Sequence, residues 1–161
     1  MEFDEVKRVQ YPAFTVIGKL GEGLAEDGPS WVPPLWQLAN EHFDELASVI
    51  KEDGLPTFHL WGLMSDQSSW LAPWQEVGQY LAGLEVPGDT PTPEGWIRWE
   101  MPSMEYLTVK TDVDKLGETM ELMFTKVLPE NELELVAAVQ EYYEVDFGPG
   151  EVVLYFPIVK E

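Results

Sequence analysis

From Val6 to Leu20 the chain reads VKRVQYPAFTVIGKL, a run of β-branched and aromatic residues that predicts a strand. Pro12 interrupts it, which places that strand near an edge or at a bulge. Residues 21–30, GEGLAEDGPS, read as a loop. From Trp31 onward the period becomes helical: Leu35, Leu38, Ala39, His42, Phe43, Leu46, Ala47 and Ile50 fall on one stripe. Pro33 and Pro34 suit the first turn of that helix, and Gly54 followed by Pro56 stops it. TFHLWGLMSD (57–66) is a short apolar run bounded by turn signals, hence a strand, and QSSWLAPWQEVG is irregular or a short helical turn. GQYLAGLEV (78–86) alternates, with Tyr80, Ala82, Leu84 and Val86 on one face and Leu81, Gly83 and Glu85 on the other.

PGDTPTPEG (87–95) is a connector at the midpoint, and the second half repeats the order. WIRWEMPSMEYLTVKTD (96–112) is strand-like and broken at Pro102. A helix follows, with Val113, Leu116, Met120, Met123, Phe124 and Val127 on its stripe and Pro129 at its end. Residues 132–147 begin helical and turn strand-like around Tyr142 and Tyr143, and VVLYFPIVK (152–160) is the last strand. The pattern predicts an α+β fold in one domain over 1–161. It is built from two β-α-β-β units at about 4–86 and 95–160. Their strands form an antiparallel assembly with both helices on one side and a central cleft on the other.

The net charge is −21, from 9 basic and 30 acidic residues, and it is spread evenly along the chain. That field favours cations and argues against direct binding to nucleic acid or an anionic membrane. There is no cysteine, so disulfides, thiolate nucleophiles and Cys-based metal sites are excluded, and two histidines make a multi-histidine metal site improbable. No cofactor motif is present: neither a phosphate-binding glycine loop nor a G-x-S-x-G elbow nor an EF-hand loop occurs. No segment reaches the roughly 20 apolar residues of a membrane span, and the N-terminus lacks a signal core. A cytoplasmic location is the expectation.

The aromatics change the picture. Seven tryptophans are more than a small core needs, because each indole N–H wants a partner. Trp61, Tyr80, Trp96, Trp99, Tyr106, Tyr142, Tyr143 and Tyr155 all fall on predicted strands, as do or nearly do Glu85, Glu100, Glu105, Glu141 and Glu144. Core packing accounts for many single aromatics, and solvated positions for many single glutamates. A carboxylate inside an aromatic cleft, however, is a cation receptor. His42 and His59 read as packed or hydrogen-bonded residues rather than bases.

LWQLANEHFDEL, LWGLMSD, YLAGLEV, PEGWIRWEMPSMEYLTV, EYYEVDF and VVLYFPI, in that order, resemble the GyrI-like small-molecule-binding domain, also called the AraC-type effector-binding or BmrR C-terminal-like domain. The resemblance spans about residues 4–160. It implies a duplicated β-α-β-β fold whose aromatic cleft binds hydrophobic, often cationic, aromatic compounds around an acidic residue. The family's E-x-Y pattern falls on Glu141-Tyr142-Tyr143. Glu144 leaves a one-position ambiguity: strand alternation admits only one of the two to the cleft, and the match to the family's pattern favours Glu141. Trp61 and the strand carrying Trp96, Trp99 and Tyr106 match cleft positions, and Tyr143, Tyr80 and Trp36 complete the expected ligand-binding set.

The resemblance implies a stand-alone member, since no helix-turn-helix unit precedes the first strand. The expected function is binding of an apolar aromatic cation by a sensor or sequestering protein. The implied alternatives are a hydrolase of cyclopropane-bearing alkylating compounds in the same cleft, and an acidic protein that binds gyrase or serves a transcription regulator.

Overall fold

The computed structural model describes residues 6–47, 59–86, 88, 90–112, 114–144 and 151–160. The strands are β1 (Lys7–Tyr11), β2 (Phe14–Leu24), β3 (His59–Asp66), β4 (Val77–Val86), β5 (Ile97–Met101), β6 (Met104–Asp112), β7 (Gln140–Glu144) and β8 (Glu151–Lys160). Helix α1 (Gly28–Ala47) follows β2. Helix α2 (Leu116–Leu122) follows β6 and continues through a wide turn, Met123–Val127, into the short α3 (Leu128–Glu130).

All eight strands join one antiparallel sheet in the order β1-β6-β8-β7-β3-β4-β2-β5. Exchanging β1–β4 with β5–β8 reverses this order onto itself, so the duplication is a pseudo-twofold whose axis passes between β3 and β7. The two prolines explain how the halves interlock. Proline lacks the N–H a ladder needs, and each strand-like run breaks there. Tyr11 then pairs with Met104 and Phe14 with Met101. The short piece before each break thus joins the other half's sheet.

Both helices cover the same face. Leu35 and Ala39 of α1 pack on Tyr80 and Ala82, while Met123 and Leu128 pack with Leu107, Val152, Leu154 and Phe156. The opposite face carries a second, aromatic core of Phe14, Trp61, Leu63, Leu81, Trp99, Tyr106 and Tyr142, covered in part by Leu71 and Ala137 from loops.

Several local expectations differ from the structure. Strand β2 runs on to Leu24 rather than ending at Leu20, because Gly21 to Leu24 keep their ladder with β4. Helix α1 consequently starts at Gly28, and Pro33 and Pro34 lie inside it. Its stripe is shifted: Leu38 is 43% exposed while Trp31, Val32 and Trp36 pack inward. The side chains of Phe43, Leu46 and Ala47, and all of Ile50, Gly54 and Pro56, lie outside the described residues. In the second helical segment Met123 is buried and Leu116, Met120 and Val127 pack inward as expected, but Phe124 is 42% exposed, and Thr119 and Leu128 are buried. The wide turn explains this, since it inserts one residue between successive inward positions. Pro129 sits within α3 rather than after it, and Val113 lies outside the described residues. Residues 132–139 are not helical. Their amides bond across the fold, Val136 to the Pro157 carbonyl and Ala138 to that of Leu71, which replaces a helical ladder.

Candidate functional site

The β3–β7 register sets Gly62 opposite Glu141, and the β3–β4 register sets Met64 opposite Tyr80. Paired residues share a face, so Glu141, Tyr143 and Tyr80 all point toward the helices, where α1 adds Trp36. The Trp36 indole donates to the Tyr80 oxygen at 2.8 Å. The Tyr80 hydroxyl donates to Glu141 Oε1 at 2.5 Å, and the Tyr143 hydroxyl donates to the same atom at 2.9 Å. The Trp36 ring stands edge-on to Tyr143 at 5.4 Å between centroids. Gly62 makes the arrangement possible: a Cβ there would overlap the Tyr80 hydroxyl and come within 3.0 Å of Glu141 Oε1.

Burial pushes the proton affinity of Glu141 up, opposed by the two phenol hydrogen bonds. The same burial, then the neighbouring Glu141 charge, pushes the Tyr80 and Tyr143 phenols up, so both stay protonated donors. No basic side chain among the described residues pairs with Glu141. The result is a desolvated carboxylate held by neutral donors in an aromatic frame. Its charged form is costly until a cation meets it.

The remaining candidates lie elsewhere. Trp61 and Tyr106 occupy the opposite face, within a cluster that includes Tyr11, Phe14, Tyr142 and Tyr155. Trp61 stacks on Phe14 at 4.7 Å, and Tyr106 meets Tyr155 edge-on at 5.2 Å. Trp99 stands at the margin of that cluster against Trp70. Trp96 is buried beside Ile17, with Lys19 4.1 Å above its ring and its indole donating to Glu45. The structure does not bring the expected set together at one place: Glu141, Tyr143, Tyr80, Trp36 and Trp96 lie on the helix face, and Trp61, Trp99 and Tyr106 on the other.

Among the other glutamates, Glu105 pairs with Arg8 at 2.9 Å, and Glu100 is 75% exposed near Arg98. Glu85 accepts hydrogen bonds from Tyr11 and Trp61, 2.8 Å each. The side chain of Glu144 lies outside the described residues. His59 bonds the Tyr142 hydroxyl, and His42 bonds Glu45. The sequence reading passed over Tyr11, whose place just before the strand-breaking Pro12 was the available signal. Among the described residues no cluster of His, Asp and Glu fits a metal ion, and no helix is long and apolar enough to cross a membrane.

The family model described as integron-associated effector binding protein (Cass2) matches residues 9–158. The transcriptional regulator BrlR of Pseudomonas aeruginosa is 30% identical over 165 residues, 93% of this chain and 54% of that protein. The chain thus spans about half the length of that relative. Three solved structures share the fold. SAV2435 bound to tetraphenylphosphonium superposes with a TM-score of 0.65 at 11% identity, over 98% of this chain and 94% of that one. An integron cassette protein from the mobile metagenome of Vibrio cholerae gives 0.64 at 14%, over 95% of each chain. The C-terminal domain of EcmrR gives 0.64 at 14%, over 97% and 98%. With the duplicated antiparallel sheet and a match over nearly its whole length, the chain belongs to the integron-associated effector-binding proteins, a GyrI-like family.

Proposed function

We propose that the chain binds a lipophilic aromatic cation at Glu141, with Tyr80, Tyr143 and Trp36 as its frame. The observation that carries this reading is the carboxylate itself, desolvated, bonded to phenols and paired with no cation among the described residues. Ring faces attract a cation, and the Glu141 charge neutralises it. The fold neighbour SAV2435, whose structure holds tetraphenylphosphonium, supports a ligand of that chemistry. A cation in the site lowers the proton affinity of Glu141, so binding releases a proton and strengthens as pH rises through the raised value.

Calorimetric titration with tetraphenylphosphonium and an uncharged tetraphenyl isostere tests the reading. The cation binds more tightly, and added salt removes only the long-range part of its advantage. Equal affinity for both compounds, or no binding of either, refutes it.

A second reading draws on the same proton. A carboxyl whose affinity for its proton is raised suits general acid or base work, as a hydrolase of strained alkylating compounds would require. Incubation with a cyclopropane-bearing compound decides: stoichiometric binding without product removes this reading and leaves the first intact.

A further inference from the structure

Glu85 is a second carboxylate set in aromatic surroundings, on the face that the helices leave uncovered. Alternation along β4 turns it away from Tyr80, Ala82 and Leu84. Its Oε1 accepts from the Tyr11 hydroxyl of β1 and the Trp61 indole of β3, both at 2.8 Å. Both bonds fall on one oxygen, and among the described residues no donor reaches Oε2.

Glu85 lines a cavity of about 240 Å³ at the sheet end where β2, β4 and β5 meet, with Phe14 and Met101 from its own face and Thr15 and Glu100 from the other, and no basic residue among the described residues lines it. Arg98 lies 3.9 Å from Glu100, and its terminal nitrogens bond the carbonyls of Thr90 and Gly88. It therefore offsets Glu100 in part, and among the described residues no basic side chain pairs with Glu85. Phe14, stacked on Trp61 and edge-on to Tyr11 at 5.0 Å, supplies an aromatic wall. A carboxylate fixed beside an open cavity with an acceptor to spare is placed to meet a donor.

We infer that this cavity is a second ligand site, separate from Glu141, for a small organic ammonium of about one aromatic ring. The ammonium N–H groups bond Glu85 Oε2, Glu100 adds charge at the mouth, and the ring of the ligand lies along Phe14 and Met101. The volume admits one ring and turns away a tetraaryl cation, so the two sites differ in ligand size. They differ also in the need for an N–H donor.

The test uses benzylammonium as probe and benzyl alcohol as its uncharged counterpart, on the Glu141→Gln protein so that the first site is silenced. Calorimetry gives affinity and stoichiometry, and the Trp61 indole N–H resonance, assigned with Trp61→Phe, reports location. The expected result is one-to-one binding of benzylammonium, a shift of the Trp61 resonance, and at least about tenfold weaker binding of benzyl alcohol. Glu85→Gln weakens benzylammonium by about tenfold or more. Glu100→Gln alters an exposed side chain, keeps the fold, and weakens it by about two- to threefold, which serves in place of Glu85→Gln should that protein not fold. Equal affinity for the amine and the alcohol overturns the proposal. So does an unmoved Trp61 resonance at saturation, or unchanged affinity in the folded glutamine variants.

Discussion

Replacing Gly62 by alanine asks one methyl group to occupy space that the Tyr80–Glu141 hydrogen bond fills. The added Cβ would stand 2.5 Å from Tyr80 Cζ and 3.0 Å from Glu141 Oε1, and would overlap the Tyr80 hydroxyl. Tyr80 has little room to yield, since it is 1% exposed and lies under Leu35 and Trp36 of α1. Overpacking of a filled site costs about 1–3 kcal/mol. Displacing the phenol also breaks a hydrogen bond to a charged group, worth about 1.5–3 kcal/mol, and strands the Trp36 N–H. Because one movement relieves the first cost by incurring the second, the sum is not additive, and a loss of about 2–4 kcal/mol is expected. Urea unfolding followed by tryptophan fluorescence measures it. Adding Tyr80→Phe removes the hydroxyl and restores part of the loss, a coupling of about 1 kcal/mol or more in the double-mutant cycle. A Gly62→Ala protein within about 0.5 kcal/mol of the parent refutes the packing on which the site rests.

Three further outcomes follow from the same geometry. The raised proton affinity of Glu141 means the folded state holds this proton more tightly than the unfolded chain does. Its contribution to stability is therefore greatest below the ordinary carboxyl value of 4.5 and is lost as pH rises through the raised one, so Glu141→Gln makes the ligand-free protein more stable at neutral pH. Asp66 has the opposite sign. The Ser68 hydroxyl and then the Gln75 amide hold its carboxyl below the usual 3.8, so its stabilisation is present above that value and is lost on acidification through the lowered one; acid titration of Asp66→Asn shows a smaller loss over that range. Gly117→Ala in α2 meets no atom within 4 Å and raises stability by about 0.5–1 kcal/mol in thermal unfolding, as a helical Gly-to-Ala change does in open space.

The strands were readable because each is a local pattern: alternation in 78–86, and apolar runs bounded by turn residues at 57–66 and 152–160. The breaks at Pro12 and Pro102 were readable too, but not their consequence. Which half of the sheet receives Tyr11 or Met101 depends on pairing across some ninety residues, which no local period encodes. The helix stripes failed where the period itself changed. The wide turn at Met123–Val127 moves Phe124 outward, and a helix begun at Gly28 turns Trp31 and Trp36 inward. The E-x-Y resemblance drew attention to Glu141. Its neighbours Tyr80 and Tyr143 come from register, Gly62 against Glu141 and Met64 against Tyr80. Composition showed that aromatics were in excess and not that they divide between two faces. For the same reason the partnership of Glu85 with Tyr11 and Trp61, three residues on three strands, left no trace in the sequence.

The central claim is that the Glu141 charge is what a lipophilic cation meets. The affinity of tetraphenylphosphonium for the parent and for Glu141→Gln, measured by calorimetry at a pH above the raised carboxyl value, tests it most directly. Glutamine keeps the shape and an acceptor for the Tyr80 and Tyr143 hydroxyls but removes the charge, so the account predicts a loss of about 1.5–3 kcal/mol, roughly ten- to a hundredfold. Undiminished affinity in the folded Glu141→Gln protein, or a large loss in Glu144→Gln with none in Glu141→Gln, contradicts it.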